Sequence, residues 1–395
     1  MKLKLSISFF IVPLFCLAQK QLTEDEALKF ALQNSALFNA SSLAVTQSKQ
    51  LQKTAYNFAN PEIMIESPTG EFQTVGVLQS FSFPTVYIKQ GQLLKQQTAL
   101  SQVEQKITEG DLKYQIKALY LSIQYLDLIY NQYKIQDSIY NQISKSAQRQ
   151  YDAGQIDYLE KTFTDAQYGE IHNQFIQTQT DLVVAQSQLQ IYTGIKEAIT
   201  TTALQKSAST VNISIVKQDT TAILNNPSIL YFKQQQIIGK KTLSLERNKF
   251  LPGFTIGYLN QGPLSTSANM RIRAGINIPL WFWQYTGSIN AAKTGLKIAE
   301  QKTLAQQQSI SVEMQKAQGD YLKYNQSLNY YETIGIKQTD DIIAASKRFF
   351  ESGQKDYISY LRNINDAYII KLKYAENLKN YNQSIININY LSGSL

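Results

Sequence analysis

Two stretches of the chain carry hydrophobic residues at a coiled-coil period over an unusual length. Apolar and aromatic side chains recur at alternating steps of four and three residues between Leu112 and Tyr133. The same steps recur between Ile310 and Tyr331, each position 198 residues after its counterpart. Such spacing places the side chains on one stripe of a helix. Two long helices are therefore predicted, the first from about Lys89 to Gln148, roughly 90 Å at 1.5 Å per residue.

A short motif with a central glycine follows each long helix. The first tip, RQYDAGQIDYLE at 149–160, returns as the second tip, RFFESGQKDYIS at 348–359. Their glycines, Gly154 and Gly353, lie 199 positions apart, and helical spacing resumes after both. Because glycine is common where a helix ends in a left-handed conformation, each half is predicted to form an antiparallel helical hairpin.

Upstream of each long helix, the hydrophobic period changes to strict alternation. TVGVLQSFSFP at 74–84 and MRIRAGINIP at 270–279 alternate, and EIMIES at 62–67 and FTIGYLN at 254–260 precede them across turn-rich segments. This pattern predicts one strand hairpin in each half, four strands in all. The order of elements in one half thus repeats in the other, which indicates a tandem duplication.

The alternation alone does not exclude a soluble sheet with one face on the helices, which stays an alternative. A membrane barrel is favoured by the signal-like amino terminus, by the aromatic residues after the second strands and by the lack of a later apolar run of about 18 residues. Ile272 and Ile276 are expected to face lipid, with Arg271 and Arg273 facing the lumen. Because single-chain barrels begin at about eight strands, several protomers must pool their strands. Aromatic residues at the end of the second strands would suit a membrane interface. These are Phe81, Phe83, Tyr87, Trp281, Phe282, Trp283 and Tyr285.

The amino terminus has the form of a secretory signal peptide, with two lysines before an apolar run and a small residue, Ala18, at the cleavage point. The predicted division is a signal peptide at 1–18, a first repeat at 19–199, a linker at 200–221 and a second repeat at 222–395. Cleavage would remove the only cysteine, Cys16, so the mature chain would have no disulfide.

Charge and composition argue against several classes of function. The formal net charge is +8, or +6 after loss of two lysines with the signal peptide, and no block of basic residues suggests a nucleic-acid partner. His172 is the only histidine, and no phosphate loop, nucleophile elbow or metalloprotease motif is present. We therefore expect a protein that is not an enzyme and has neither a bound metal nor a cofactor.

Several segments resemble the TolC-type outer-membrane efflux proteins. They are LTEDEALKFALQNS at 22–35, AILNNPSI at 222–229 and the R-x-aromatic-x-x-G pattern of both tips. ESPTGEF, SFSFPTVY, FLPGFTIGYLNQ and IPLWFWQYTGSINAAK are more narrowly similar to Bacteroidetes-type members that accompany heavy-metal efflux pumps. The resemblance implies a mainly α-helical homotrimer with a shared twelve-stranded transmembrane barrel in the outer membrane and a helical tunnel in the periplasm.

The resemblance also implies partners and a function. The chain would be the exit duct of a tripartite system, passing heavy-metal cations or drugs from an inner-membrane pump of the RND type through a periplasmic adaptor, or membrane fusion protein. A periplasmic coiled-coil scaffold or adaptor with a soluble sheet is the alternative. An autonomous porin is disfavoured, because long helices serve no purpose in a simple pore.

The tips are the predicted functional sites. Adaptor docking is assigned to Arg149, Tyr151, Ala153, Gly154, Arg348, Phe350, Ser352 and Gly353. Ion pairs that hold the end closed are assigned to Asp152, Asp157, Glu160, Glu351, Lys355, Asp356 and Arg362. Plain helical turns and solvated surface charges are the competing interpretation. Some TolC-type members carry acidic residues where this chain has Ser359 and Arg362, so an acidic ring is not expected here.

Overall fold

The computed structural model describes residues 20–66, 74–208, 223–260, 267–352 and 356–395. The predicted signal peptide lies outside these residues, as do most of the predicted linker and Gly353 and Lys355 of the second tip. The described part is mainly α-helical, with a small β-sheet. Among the described residues, no helix combines the length and the apolar character needed to cross a membrane.

Each half of the chain has a helical start, two strands, a long helix and a return helix. The first half comprises β1 (Lys20–Leu22), α1 (Glu24–Asn34), α2 (Ala36–Leu51), a 3-10 turn (Gln52–Tyr56), β2 (Glu62–Glu66), β3 (Thr74–Phe81), α3 (Pro84–Asp152), α4 (Tyr158–Thr193) and β4 (Ile199–Thr201). The second comprises α5 (Pro227–Asn248), β5 (Gly253–Leu259), a 3-10 turn (Ala268–Arg271), β6 (Ile272–Asn277), α6 (Phe282–Tyr330), α7 (Ile336–Glu351) and α8 (Tyr357–Ser392).

The two long helices differ in continuity. Helix α3 is a single helix of 69 residues that begins at Pro84, a few residues before the predicted start. Proline is tolerated in the first helical turn, where its missing N–H has no helical partner. In the second half, a π-helical turn, Tyr331–Gly335, separates α6 from α7. The predicted second long helix therefore contains a π-helical turn.

The four predicted strands form one antiparallel sheet in the order β2-β3-β5-β6. The two predicted hairpins are joined through β3 and β5, where Gly76 pairs with Leu259 and Leu78 pairs with Gly257. A Cβ on Gly76 would lie 2.3 Å from Leu259 Cδ1, and one on Gly257 would lie 2.2 Å from Leu78 Cδ2. Each repeat thus supplies a glycine that makes room for a leucine of the other.

The chain divides into two compact units. The described part of the first unit comprises 20–34, 115–208, 320–352 and 356–383. Here β1 and β4 form a parallel pair that the sequence pattern did not indicate. Leu22 and Ile199 of this pair are buried, and Tyr120 Oη donates to the Leu22 carbonyl at 2.8 Å. The ends of both hairpins belong to this unit.

The second unit holds the sheet and the adjoining parts of the helices, within 35–114, 223–319 and 384–395. Leu93, Ile229, Leu245 and Met314 are among its buried core residues. Helix α5 begins at Pro227, and Asn226 is its N-cap. The side-chain oxygen of Asn226 accepts a hydrogen bond from Ser228 N at 2.8 Å. The cap satisfies a backbone donor that the start of a helix leaves without a partner.

Candidate functional site

One face of the sheet is apolar and exposed. Cross-strand pairs connect Ile63, Val77, Tyr258 and Ile272 in one row, so these side chains point to the same side. Because side chains along a strand point alternately to the two faces of the sheet, every second residue in each strand lies on this same face. The exposed apolar sheet face consists of Ile63, Ile65, Val75, Val77, Ile256, Tyr258, Ile272 and Ile276, each 42–71% exposed. A soluble sheet would instead bury such a face against helices or another sheet.

The other face carries mostly small and polar residues, together with Met64, Leu78 and Leu259. Arg273 lies on it, opposite to Ile272 and Ile276, and pairs across the strands with Gly257. The sequence pattern therefore predicted correctly that Arg273 and the two isoleucines lie on opposite faces of β6. Arg271, however, is not a strand residue: it ends the 3-10 turn before β6, and its guanidinium donates to the Asn260 side chain. The strict alternation stops there because the backbone turns.

Aromatic residues follow β6 directly. Trp281, Phe282 and Trp283 are each 61–64% exposed, and the two indole rings lie 5.2 Å apart. Neighbouring Ile278 and Leu280 are also exposed. The apolar sheet face and this aromatic segment belong to the same unit. Tryptophan combines a large apolar body with one polar N–H, which suits a boundary between apolar and aqueous surroundings.

The first tip is a tight helical turn closed by backbone hydrogen bonds. Gln155 N donates to Gln150 O at 2.8 Å, Gly154 N donates to Tyr151 O at 2.9 Å, and Gly154 has a φ of +70°. This is the Schellman arrangement, in which glycine is favoured because it adopts a left-handed backbone without strain. A Cβ on Gly154 would meet no atom within 4 Å. Within the chain, the glycine is needed for conformation and not for space.

The residues after each tip turn begin the return helices in the same way. Asp157 Oδ1 accepts from Glu160 N at 2.8 Å, and Asp356 Oδ1 accepts from Ser359 N at 2.6 Å. Both aspartates, which the sequence assigned to a gate, are thus N-caps of α4 and α8. In the second tip, Ser352 N donates to Arg348 O at 3.0 Å.

A tyrosine-rich core joins the two hairpins near their tips. Its buried members are Tyr140, Ile143 and Ala147 of α3, Ile171 of α4, and Tyr357, Tyr360, Leu361, Ile364 and Tyr368 of α8. We call it the tip core. Tyr357 Oη donates to Ser146 Oγ at 3.1 Å. The pKa of Tyr140 is raised far above its ordinary value. Burial is the largest cause, followed by the neighbouring Tyr368, Tyr360 and Asp366.

The two tips present different aromatic residues, although their sequences repeat. Tyr151 is 38% exposed in the first tip. Its counterpart Phe350 packs onto the tip core and stacks on Tyr360 at a centroid distance of 4.5 Å. Phe349 is the exposed aromatic residue of the second tip, at 48%. Phe350, which the sequence assigned to adaptor docking together with Tyr151, is therefore less exposed than its counterpart.

The charged residues assigned to the gate lie on or beside the tips. Asp152 accepts from Gln148 Nε2 at 2.8 Å, and Glu351 lies 3.9 Å from Lys347 one turn earlier in α7. Burial, followed by the charges of Asp157 and Asp356, raises the pKa of Glu160. The acids of the two tips therefore influence one another. Arg149, Arg348 and Arg362 are exposed.

The described residues contain no group of three or more histidine, cysteine, aspartate or glutamate side chains that could hold a metal ion. His172, a residue of α4, lies beside α3, and its Nδ1 is 2.8 Å from Asp137 Oδ1.

The described residues form long helical hairpins and a four-stranded sheet with an exposed apolar face. No protein-family model and no curated protein matches the sequence. Solved channel structures do match. OprN, an outer-membrane channel, gives a TM-score of 0.79 at 11% identity over 94% of this chain and 90% of that chain. The Campylobacter jejuni outer-membrane channel CmeC gives 0.77 at 14% identity, over 94% and 85%.

The open state of the Neisseria gonorrhoeae outer-membrane channel MtrE gives a TM-score of 0.74 at 10% identity, over 94% of this chain and 88% of that chain. Because the match extends over nearly the whole of each chain, the shared fold includes both the hairpins and the sheet. The predicted fold class, a mainly helical chain with duplicated hairpins and four strands, is confirmed.

Proposed function

We propose that the protein is the outer-membrane exit duct of a tripartite efflux system. The observation that carries this proposal is the exposed apolar sheet face, with its eight large apolar side chains. Exposing apolar surface to water costs about 25 cal/mol per Å², so a lipid environment stabilises this face. The fold shared with outer-membrane channels supports the same conclusion.

The proposed assembly is a homotrimer. In the described sheet, β2 and β6 are edge strands, each paired on one side only. Unpaired strand edges are not tolerated in the hydrocarbon region of a membrane. Three copies, each contributing four strands, would close a barrel of twelve strands and leave no edge. The lumen side of this barrel would carry Arg273.

The proposed partners are a periplasmic adaptor and an inner-membrane pump of the RND type. The exposed side chains of the tips, Arg149, Tyr151, Arg348 and Phe349, would meet the adaptor. Resemblance to the heavy-metal subgroup makes metal cations the first cargo to test and drugs the second. Gene deletion should lower the tolerated concentration of copper or zinc salts severalfold, and the intact gene should restore it. Unchanged tolerance of both metals and drugs would contradict the efflux role.

Two neighbouring substitutions test the membrane location. Ile276→Arg places a charge on the lipid side and should cost about 2 to 4 kcal/mol if it lies near mid-membrane, whereas Arg273→Ser should change little. The measurement is the amount of detergent-extracted trimer in the outer-membrane fraction. Equal loss in both variants would contradict the assigned facing. A wild-type chain found soluble in the periplasm would favour the scaffold alternative.

Cysteine cross-linking tests the docking of the tips. Ala153→Cys and Ser352→Cys should each form a cross-link with the adaptor in cells, because both positions lie beside a tip turn. A cysteine at exposed Val184, on α4 away from the first tip, is the matched control and should not react. Continued efflux without any cross-link from either tip would refute docking at these residues.

A further inference from the structure

The spacing between the two repeats changes by one residue within the long helices. The hydrophobic stripe of α6, from Ile310 to Tyr331, lies 198 residues after its counterpart in α3. The two tips lie 199 residues apart, as do Gly194 and Gly393 at the ends of the return helices. One extra residue therefore enters the second repeat between Tyr331 and the second tip.

Burial shows the same one-residue shift independently of the sequence comparison. Before the π-helical turn, Met314 and Tyr321 are buried like the residues 198 positions earlier, Ile116 and Ile123. From Gly335, the last residue of the turn, the buried residues match at a distance of 199. Gly335, Thr339 and Ser346 correspond to buried Gln136, Tyr140 and Ala147. Buried Leu328 already matches buried Ile129 at a distance of 199, so the buried stripe shifts by one residue between Tyr321 and Gly335, an interval that contains the π-helical turn Tyr331–Gly335.

The turn is packed on one side and open on the other. A Cβ on buried Gly335 would lie 3.0 Å from Tyr331 Cδ1, so glycine allows the backbone to pass close to this ring. Thr333 and Ile334 are exposed. A π-helical turn replaces regular i to i−4 hydrogen bonds, and such turns are common causes of helix bending. Helix α3 has no such turn at the corresponding level.

An extended segment, residues 202–208, which we call the strap, runs past this turn. Its start is fixed to α3, because Gln124 Nε2 donates to Thr202 O at 3.0 Å. Asn382 of α8 fixes its middle: Nδ2 donates to Gln205 O at 2.7 Å, and Oδ1 accepts from Ser207 N at 3.0 Å. The residue held between these two bonds is Lys206.

Lys206 connects the strap to the π-helical turn. Its Nζ is 3.0 Å from Glu332 Oε2, and both side chains are 35% exposed. The same ammonium lies 5.5 Å from the centre of the Tyr381 ring. A half-exposed ion pair of this kind is weak and readily reversed. The contact therefore holds the turn without locking it.

We propose that the π-helical turn Tyr331–Gly335 is a hinge at which α7 bends relative to the end of α6, and that Lys206 of the strap restrains it. The first repeat has no equivalent hinge, because α3 is continuous. The two hairpins consequently differ in mobility, although their sequences repeat. This inference concerns the chain itself and holds whether or not the protein proves to be an efflux duct.

Distances between spin labels in the purified protein test the hinge. In a Cys16→Ser background, one pair of labels replaces the exposed Asn329 and Ala344, which flank the turn. The matched pair replaces the exposed Asn131 and Lys145 of α3. The distance distribution of the second-repeat pair should be at least twice as broad as that of the first-repeat pair. Lys206→Ala should broaden it further.

Deletion of one residue from the π-helical turn is the second test of the hinge. Removing exposed Thr333 restores the 198-residue spacing and should give a continuous helix, so the distribution narrows to the width of the α3 pair. Removing exposed Lys134 from α3 should instead destabilise the fold, because no extra residue is present there to lose. Equal widths in the two repeats, or a width unchanged by both Lys206→Ala and the Thr333 deletion, would overturn the hinge. If the deletion variant does not fold, the comparison of the two pairs and Lys206→Ala still decides.

Discussion

At the scale of single residues, two glycines with the same free space around them differ in backbone conformation. Gly154 has a positive φ and free space around its Cα, whereas Gly169 lies within α4 with equally free space and an ordinary helical backbone. Gly154→Ala should therefore lower the free energy of unfolding by about 1 kcal/mol, and Gly169→Ala should raise it by about 0.5 to 1 kcal/mol. Denaturant unfolding measures both. Equal effects of the same sign would contradict the Schellman turn.

A second pair of glycines tests the packing between β3 and β5. A Cβ on Gly257 would lie 2.7 Å from the Val77 carbonyl oxygen as well as against Leu78, whereas one on Gly275 would be 3.9 Å from its nearest neighbour. We expect Gly257→Ala to destabilise the sheet by about 1 to 3 kcal/mol and Gly275→Ala to be nearly neutral. The thermal stability of the detergent-extracted protein is the measurement. A neutral Gly257→Ala would show that the strands do not pair in this register.

At the scale of elements, the packing of α8 on α3 depends on tyrosines. Tyr140 Oη is buried without a hydrogen-bond partner, so Tyr140→Phe should be neutral or stabilising at pH 7. Tyr357→Phe, which loses the bond to Ser146, should cost about 1 kcal/mol. Denaturant unfolding of the two variants distinguishes them. A larger loss for Tyr140→Phe would contradict the described tip core.

The same core predicts a response to alkaline pH. Burial raises the folded-state pKa of Tyr140 above its ordinary value of 10.0. The stability that it contributes is fully present below about pH 10 and declines as the pH rises toward the folded-state pKa, by up to about 1.4 kcal/mol per pH unit. Tyr140→Phe should therefore lose less stability than the wild type between pH 10 and 12. Parallel losses would place this hydroxyl in water.

Local patterns predicted the elements better than their connections. The hydrophobic periods predicted the long helices, the strands and the two sides of β6, because these features follow from spacing along one segment. The pairing of β3 with β5 and of β1 with β4 is non-local, so no pattern within a segment indicated it. The inward position of Phe350 depends on contact with α8. The π-helical turn did leave a signal, the change from 198 to 199 residues between the repeats.

At the scale of the whole molecule, we propose that three chains close one barrel by joining the edge strand β6 of each copy to β2 of the next. Within one chain, β2 and β6 are separated by two strands, roughly 14 Å at about 4.8 Å per strand spacing. A disulfide needs Cα atoms about 4.4 to 6.8 Å apart. A bond between these strands can therefore form only between chains.

Disulfide formation between the edge strands tests this claim most directly. In a Cys16→Ser background, paired cysteines are placed in turn along Glu62–Glu66 and Ile272–Asn277, and the oxidised outer membranes are analysed by denaturing gel electrophoresis. At least one adjoining combination should give a covalent trimer that reduction converts to monomer, while each single-cysteine variant stays monomeric. A full panel of folded, membrane-located variants that yields only monomers would contradict the shared barrel.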